Sequence, residues 1–93
     1  MIQVLIERRI ADGMETTYER EARKVIQQTY QARGFISGET FHDIKRPNRR
    51  FVVSKWRSVQ DWQLWKHSEQ RRVIIGQLSP ILDEPERVTL MQH

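Results

Sequence analysis

The sequence predicts an α+β fold in which helices cover one face of a four-stranded antiparallel sheet. Three observations carry this. The β-branched residues Ile2, Val4 and Ile6 recur at every second position, the period of a strand. From Met14 to Tyr30 the apolar positions recur about every 3.6 residues, with charges between them. Residues 43–49 are polar, contain Pro47-Asn48 and separate two extended apolar runs, the pattern of a hairpin.

Residues 2–10 form the first predicted strand, ended by Asp12-Gly13. The helix that follows places Met14, Tyr18, Ala22, Val25, Ile26 and Thr29-Tyr30 on one face. Asp12 offers an N-cap, Glu15 three residues on completes a capping-box spacing, and Gly34 suits the stop. Phe35 to His42 reads as the second strand, interrupted at Gly38, where a missing side chain signals a bulge or a close approach to the backbone. Residues 50–56 are the antiparallel return. Ser58 with Asp61 caps a second helical region, Ser68 restarts it, and Pro80 ends it. Pro85 introduces a last strand over residues 87–91, with Val88 and Leu90 on one face.

The order is βαββαβ, the ferredoxin-like arrangement. With helices on one face the other should read polar, yet both parities of several strands are apolar: Phe35 and Phe41 against Ile36, and Phe51 and Val53 against Val52 and Trp56. A second copy of the sheet is the simplest cover. The expectation is a homodimer closed as an α+β barrel.

Ninety-three residues make one domain, 1–93, and a chain of this size buries only about 60–65% of its unfolded surface, so a partner subunit would help. With no cysteine, disulfide scaffolds, thiolate metal sites and cysteine nucleophiles are excluded. The apolar run 2–6 is broken by Gln3 and ended by Glu7-Arg8-Arg9. It is too short for a signal core or a membrane span, and a cytoplasmic protein with no membrane partner is the expectation. The net charge is +4, with arginine clusters at 8–9, 46–50 and 71–72. Acidic residues are interleaved, which points to a solvated surface more than to nucleic acid. The RNA-recognition domains that share this element order want a glycine and alternating aromatics on the third strand; 50–56 lacks the glycine and Val4-Leu5-Ile6 has no aromatic.

Trp56, Trp62 and Trp65 fall within ten residues. Each indole hides roughly 150–250 Å², so three are not left in water. Val59, Trp62 and Trp65 are spaced i, i+3, i+6, a stripe facing the sheet that is either core or the wall of a ligand cavity. Trp56 ends the third strand, where its face depends on register and both roles stay open. His42, His67 and His93 have no metal-ligand spacing, and no metal or other cofactor is expected. His42 is the neutral-pH base available in the sheet, though an exposed strand histidine is the commoner identity. Arg8 and Arg71 offer fixed cations for an enolate or carboxylate, against the plainer reading as surface arginines.

The segment Gly34-Phe35-Ile36-Ser37-Gly38-Glu39-Thr40, then Phe51-Val52-Val53-Ser54-Lys55-Trp56-Arg57-Ser58, then Asp61-Trp62, Trp65, Ser68 and Arg71 together resemble the antibiotic biosynthesis monooxygenase (ABM) domain family. The resemblance spans nearly the whole chain. It implies a dimeric α+β barrel with a pocket between sheet and helices in each protomer. Relatives include oxygenases that use neither metal nor flavin and act on anthrones, quinols and similar polycyclic phenols, as well as haem-degrading enzymes and isomerases. The haem degraders use an axial histidine ten residues after a tryptophan matching Trp65; that position here is Ile75. Their first-strand asparagine is replaced by Arg8 or Glu7, and only a shifted ligand such as His67 would restore that chemistry. The expectation is therefore a cofactor-free monooxygenase of a small aromatic, quinol or polycyclic phenolic compound. Trp56, Trp62 and Trp65 would wall its pocket, His42 or a water would take the proton, and Arg8 or Arg71 would steady the anion. The rival is a binding module of the same fold without catalysis.

Overall fold

A computed structural model describes residues 1–93. Its elements are β1 (Ile2–Arg9), α1 (Glu15–Thr29), β2 (Phe35–His42), β3 (Arg49–Trp56), α2 (Val59–Lys66), α3 (Glu69–Leu78), a 3-10 turn (Ser79–Ile81) and β4 (Arg87–Met91). The sheet is antiparallel in the order β2-β3-β1-β4, with the helices on one face as expected.

Strand β1 sits inside the sheet and shows why the period-two pattern matters. Ile2, Val4, Ile6 and Arg8 are buried, while Gln3, Leu5 and Glu7 between them are only partly covered. Register carries the same face across the sheet: Ile2 pairs with Trp56, Val4 with Ser54 and Leu90, Ile6 with Val52 and Val88. Helix α1 buries Tyr18, Ala22 and Val25, the stripe its spacing dictates.

Three local expectations need correction. Asp12 does not cap α1. The N-cap is Met14, with no side-chain bond, because 11–14 close a turn through Gly13 at φ +79° in which the Met14 N–H donates to the Ala11 carbonyl. Gly34 is not the helix stop either. The chain leaves α1 at Tyr30 through a short turn, and Gly34, at φ +83°, instead opens β2, its carbonyl accepting from Arg57 N–H at 2.9 Å. Finally, the register of β2 shifts between Phe35 and Ser37. That bulge turns Phe35 to the helix side, where its ring meets Trp56, while Phe41, of the same parity, stays on the open side opposite Phe51.

The two serine caps form as expected. Ser58 Oγ accepts from Asp61 N–H and Ser68 Oγ from Arg71 N–H, each at 3.1 Å. Asp43 holds the β2–β3 turn by accepting from the backbone N–H groups of Lys45 and Arg46. Trp56, Trp62, Ile10, Leu78 and Val4 are the largest side chains fully enclosed. The open side of the sheet carries Leu5, Val53, Phe51 and Phe41, the last 50% exposed. No helix is long and apolar enough to cross a membrane.

Candidate functional site

Between the sheet and α1–α3 lies a cavity of about 180 Å³. Strands β1 and β3 supply its floor through Ile6, Val52, Ser54 and Trp56; α2 adds Trp62 and Trp65; and α1 supplies Val25 and Ile26. The expected stripe on α2 is thus two residues long: Trp62 and Trp65 are buried, but Val59 at its first turn is 40% exposed. The indoles belong to both categories left open by their sequence, being core by burial and cavity wall by position. Trp56 and Trp62 stand edge to face at 5.4 Å, and Phe35 and Tyr30 continue that stack outward at the same spacing, each pair contributing about 0.5–1.5 kcal/mol beyond burial. Gly38 lies beside the stack. A Cβ there would meet the Phe35 ring at 3.4 Å, an ordinary van der Waals contact, and the bulge expected at Gly38 lies instead between Phe35 and Ser37.

Thr29, Thr40, Ser54 and the exposed Glu39 add polar groups to the wall, and its buried charges form one compact cluster. Arg8 on β1 and Arg71 on α3 are 6% and 5% exposed, and both line the cavity. They share one carboxylate: Arg8 Nε donates to Glu86 Oε2 and Arg71 Nη2 to Glu86 Oε1, each at 2.9 Å. Arg8 Nη1 also donates to the Tyr18 hydroxyl at 3.2 Å, and the Arg71 guanidinium lies 5.4 Å from the Trp62 ring centroid. Burial opposes the charge on Arg8, but Tyr18 and Glu86 outweigh it and raise its pKa. Burial likewise pushes the Glu86 carboxyl up, and Arg8 and Arg71 outweigh that, holding it below the usual carboxylate range. Arginine side chains stay protonated in proteins, so with the Glu86 carboxyl held low the cluster sets two cations against one anion.

Five of the six residues singled out from the sequence, Arg8, Arg71, Trp56, Trp62 and Trp65, come together here. His42 does not. It is exposed near the hairpin end of β2, opposite Arg50, and is not among the residues of the cavity wall. His67 is exposed beyond α2, 3.2 Å from Gln63 Oε1, and Ile75 packs against the core. No three His, Cys, Asp or Glu side chains converge as metal ligands. Glu86 and Tyr18 were missed as site residues. Tyr18 is indistinguishable in sequence from helix core, and Glu86 follows Pro85 in a loop with no periodicity to aim it.

The sequence profile of the antibiotic biosynthesis monooxygenase (ABM) family matches residues 1–77. The chain belongs to the ABM family. Solved structures agree with the ABM fold over the full length. A conserved protein from Methanosarcina mazei Go1 superposes with a TM-score of 0.90 at 15% identity, covering 98% of this chain and 90% of that one. A protein described as an antibiotic biosynthesis monooxygenase gives 0.90 at 16% identity, covering 100% and 98%. A variant of SnoaB, a cofactor-independent oxygenase from Streptomyces nogalater, gives 0.86 at 10% identity, covering 99% and 92%. At such identities the likeness shows the shared ABM architecture and leaves the chemistry to each protein's own residues. No curated protein sequence matches the chain.

Proposed function

We propose that this ABM protein is a cofactor-independent monooxygenase of a small aromatic compound, a quinol or phenol, bound between the sheet and the helices. The observation that carries the reading is a net positive pair, Arg8 and Arg71 on Glu86, set into a cavity whose remaining wall is mostly aromatic and aliphatic, with Thr29, Thr40, Ser54 and the solvent-exposed Glu39 as its other polar residues. An electron-rich phenolate or enolate can itself reduce O₂. The protein need only favour the anion, exclude water and hold the ring. In the balanced reaction a ring carbon ortho or para to the phenolic oxygen, a CH₂ in the keto tautomer, becomes a carbonyl: one oxygen atom of O₂ stays on that carbon, and the other leaves as water with both of its hydrogens.

The guanidinium pair supplies the first requirement. One net cation about 4 Å from a ligand oxygen is worth about 4 kcal/mol at an effective dielectric near 20. Before desolvation of the ligand is counted, that lowers the ligand's pKa by about 3 units. A phenol entering toward that charge loses its proton to solvent before the cavity encloses it, so the distance of His42 from the cavity removes no necessary group. Supporting the family-level chemistry are the ABM match and the oxygenase SnoaB among proteins of the same architecture.

The working unit we propose is a homodimer. The open side of the sheet bears Leu5, Phe41, Phe51 and Val53, and a second copy covers them without leaving a strand face in water.

The deciding experiment is oxygen uptake by the purified protein with a panel of quinols, phenols and anthrones, with chelator present throughout. Consumption of one O₂ per substrate, reduced in Trp65→Phe, supports the reading. No protein-dependent uptake across the panel overturns it in favour of a non-catalytic binder.

A further inference from the structure

The Arg8–Glu86–Arg71 cluster is incompletely satisfied in a specific way. Glu86 spends one carboxylate oxygen on each guanidinium, and Tyr18 takes one more donor from Arg8. Arg71 Nε and Nη1 have no partner within the protein, although the residue is 5% exposed, and Arg8 is left with Nη2 alone unpaired, so Arg71 carries the wider open edge. The one buried side-chain polar atom that is sealed off without a partner is Trp62 Nε1; the open edge of Arg71 therefore retains accessible surface, and the cavity is the space that Arg71 lines. A guanidinium has five donors and no acceptor, so an open edge beside apolar walls calls for an anionic oxygen. Glu86 already neutralises one of the two cations, and Glu39, the other acid of the wall, is solvent-exposed and screened, so one negative charge completes the balance at the guanidinium pair.

Size sets a second limit. Apolar cavities of about 150 Å³ hold benzene, and drug-sized ligands occupy roughly 300–1,000 Å³. At about 180 Å³ this cavity fits one or two rings.

We propose that the cavity takes a one- or two-ring aromatic carrying a single negative charge, its anionic oxygen on the open edge of Arg71. Glu86 is the positioning residue that fixes the place and the net charge of the guanidinium pair. The proposal rests on the reading of this cavity as the ligand site and goes beyond it in ring number and charge.

The test is calorimetric titration, under argon, of the full chain with naphthoate, its neutral counterpart naphthalenemethanol, naphthalenedicarboxylate and the three-ring anthracenecarboxylate. Naphthoate is expected to bind about ten- to a hundredfold more tightly than the alcohol, the range of a charge-assisted hydrogen bond, and the three-ring acid more weakly than naphthoate. In Arg71→Gln the acid and the alcohol become equal. In Glu86→Gln the dicarboxylate gains on naphthoate by about tenfold, since the pair then carries two uncompensated charges. Equal binding of acid and alcohol, equal binding of two- and three-ring acids, an unchanged ratio in a folded Glu86→Gln, or no binding by any of them overturns the proposal. Should a variant fail to fold by circular dichroism, the wild-type ratios decide alone. Oxygen uptake separates the two readings. Anion-selective binding without uptake removes the oxygenase and keeps this site, whereas uptake with neutral substrates alone does the reverse.

Discussion

The indole N–H of Trp56 donates to the Ser54 hydroxyl at 2.9 Å, two residues back on the same face of β3. Both residues are buried and both line the cavity. Ser54→Ala therefore leaves an enclosed donor with nothing to bond, a loss of about 1–3 kcal/mol. The melting temperature should fall by about 4–8 °C for each kcal/mol in a chain of this size, whereas Ser54→Thr, which keeps the hydroxyl, should lose less. Thermal denaturation followed by far-ultraviolet circular dichroism measures both.

Two glycines predict opposite signs. At Gly34, with φ +83°, an added Cβ runs into the side chain of Asp61, so Gly34→Ala combines left-handed strain of about 1–2 kcal/mol with displacement of a residue in the first turn of α2. Gly76 lies inside α3 with open space where a Cβ would go, and Gly76→Ala should stabilise by about 0.5–1 kcal/mol. Urea midpoints of the two variants should bracket the parent; Gly76→Ala falling below it would contradict the helix geometry.

Acid should weaken the fold through two carboxylates. Arg8 and Arg71 hold Glu86 below its ordinary pKa, and the backbone N–H groups of Lys45 and Arg46 do the same for Asp43. On acidification the unfolded chain takes up these protons first. Their stabilisation is thus complete above the unfolded carboxylate values, about 3.9–4.3, and is lost as pH falls through the lower folded values. Glu86→Gln should be less stable at pH 7 and show a flatter acid limb. A series of urea midpoints between about pH 7 and 3 reads this, and an unchanged limb in Glu86→Gln combined with Asp43→Asn would refute it.

Phe41 is half exposed on the uncovered side of the sheet. Phe41→Lys should leave the melting behaviour of the separated subunit within about 0.5 kcal/mol while halving the mass seen by sedimentation equilibrium. A mass equal to one chain in the unsubstituted protein would rule out the proposed dimer.

Much of the architecture is legible because it rests on periodicity. Ile2, Val4 and Ile6 announce a strand, and Tyr18, Ala22 and Val25 announce a helix face, without help from distant residues. The misreadings lie where one residue breaks the period. The bulge after Phe35 inverts that side chain and creates the edge-to-face contact with Trp56, and Asp12 yields its capping place to Met14 because Gly13 turns the chain first. The site follows the same logic. The tryptophans, Arg8 and Arg71 are visible from residue type and position, but the carboxylate joining the two arginines is 78 residues from one and 15 from the other, and no local pattern encodes such a meeting.

Glu86 also lies outside residues 1–77, the part of the chain that matches the ABM family. The chamber is built within that shared part, yet its electrical balance is set from the tail that follows it. Exchanging this one acid for a neutral residue would release the two guanidiniums it holds and re-aim the chamber toward a more negatively charged guest, while the apolar floor stays as the shared part builds it.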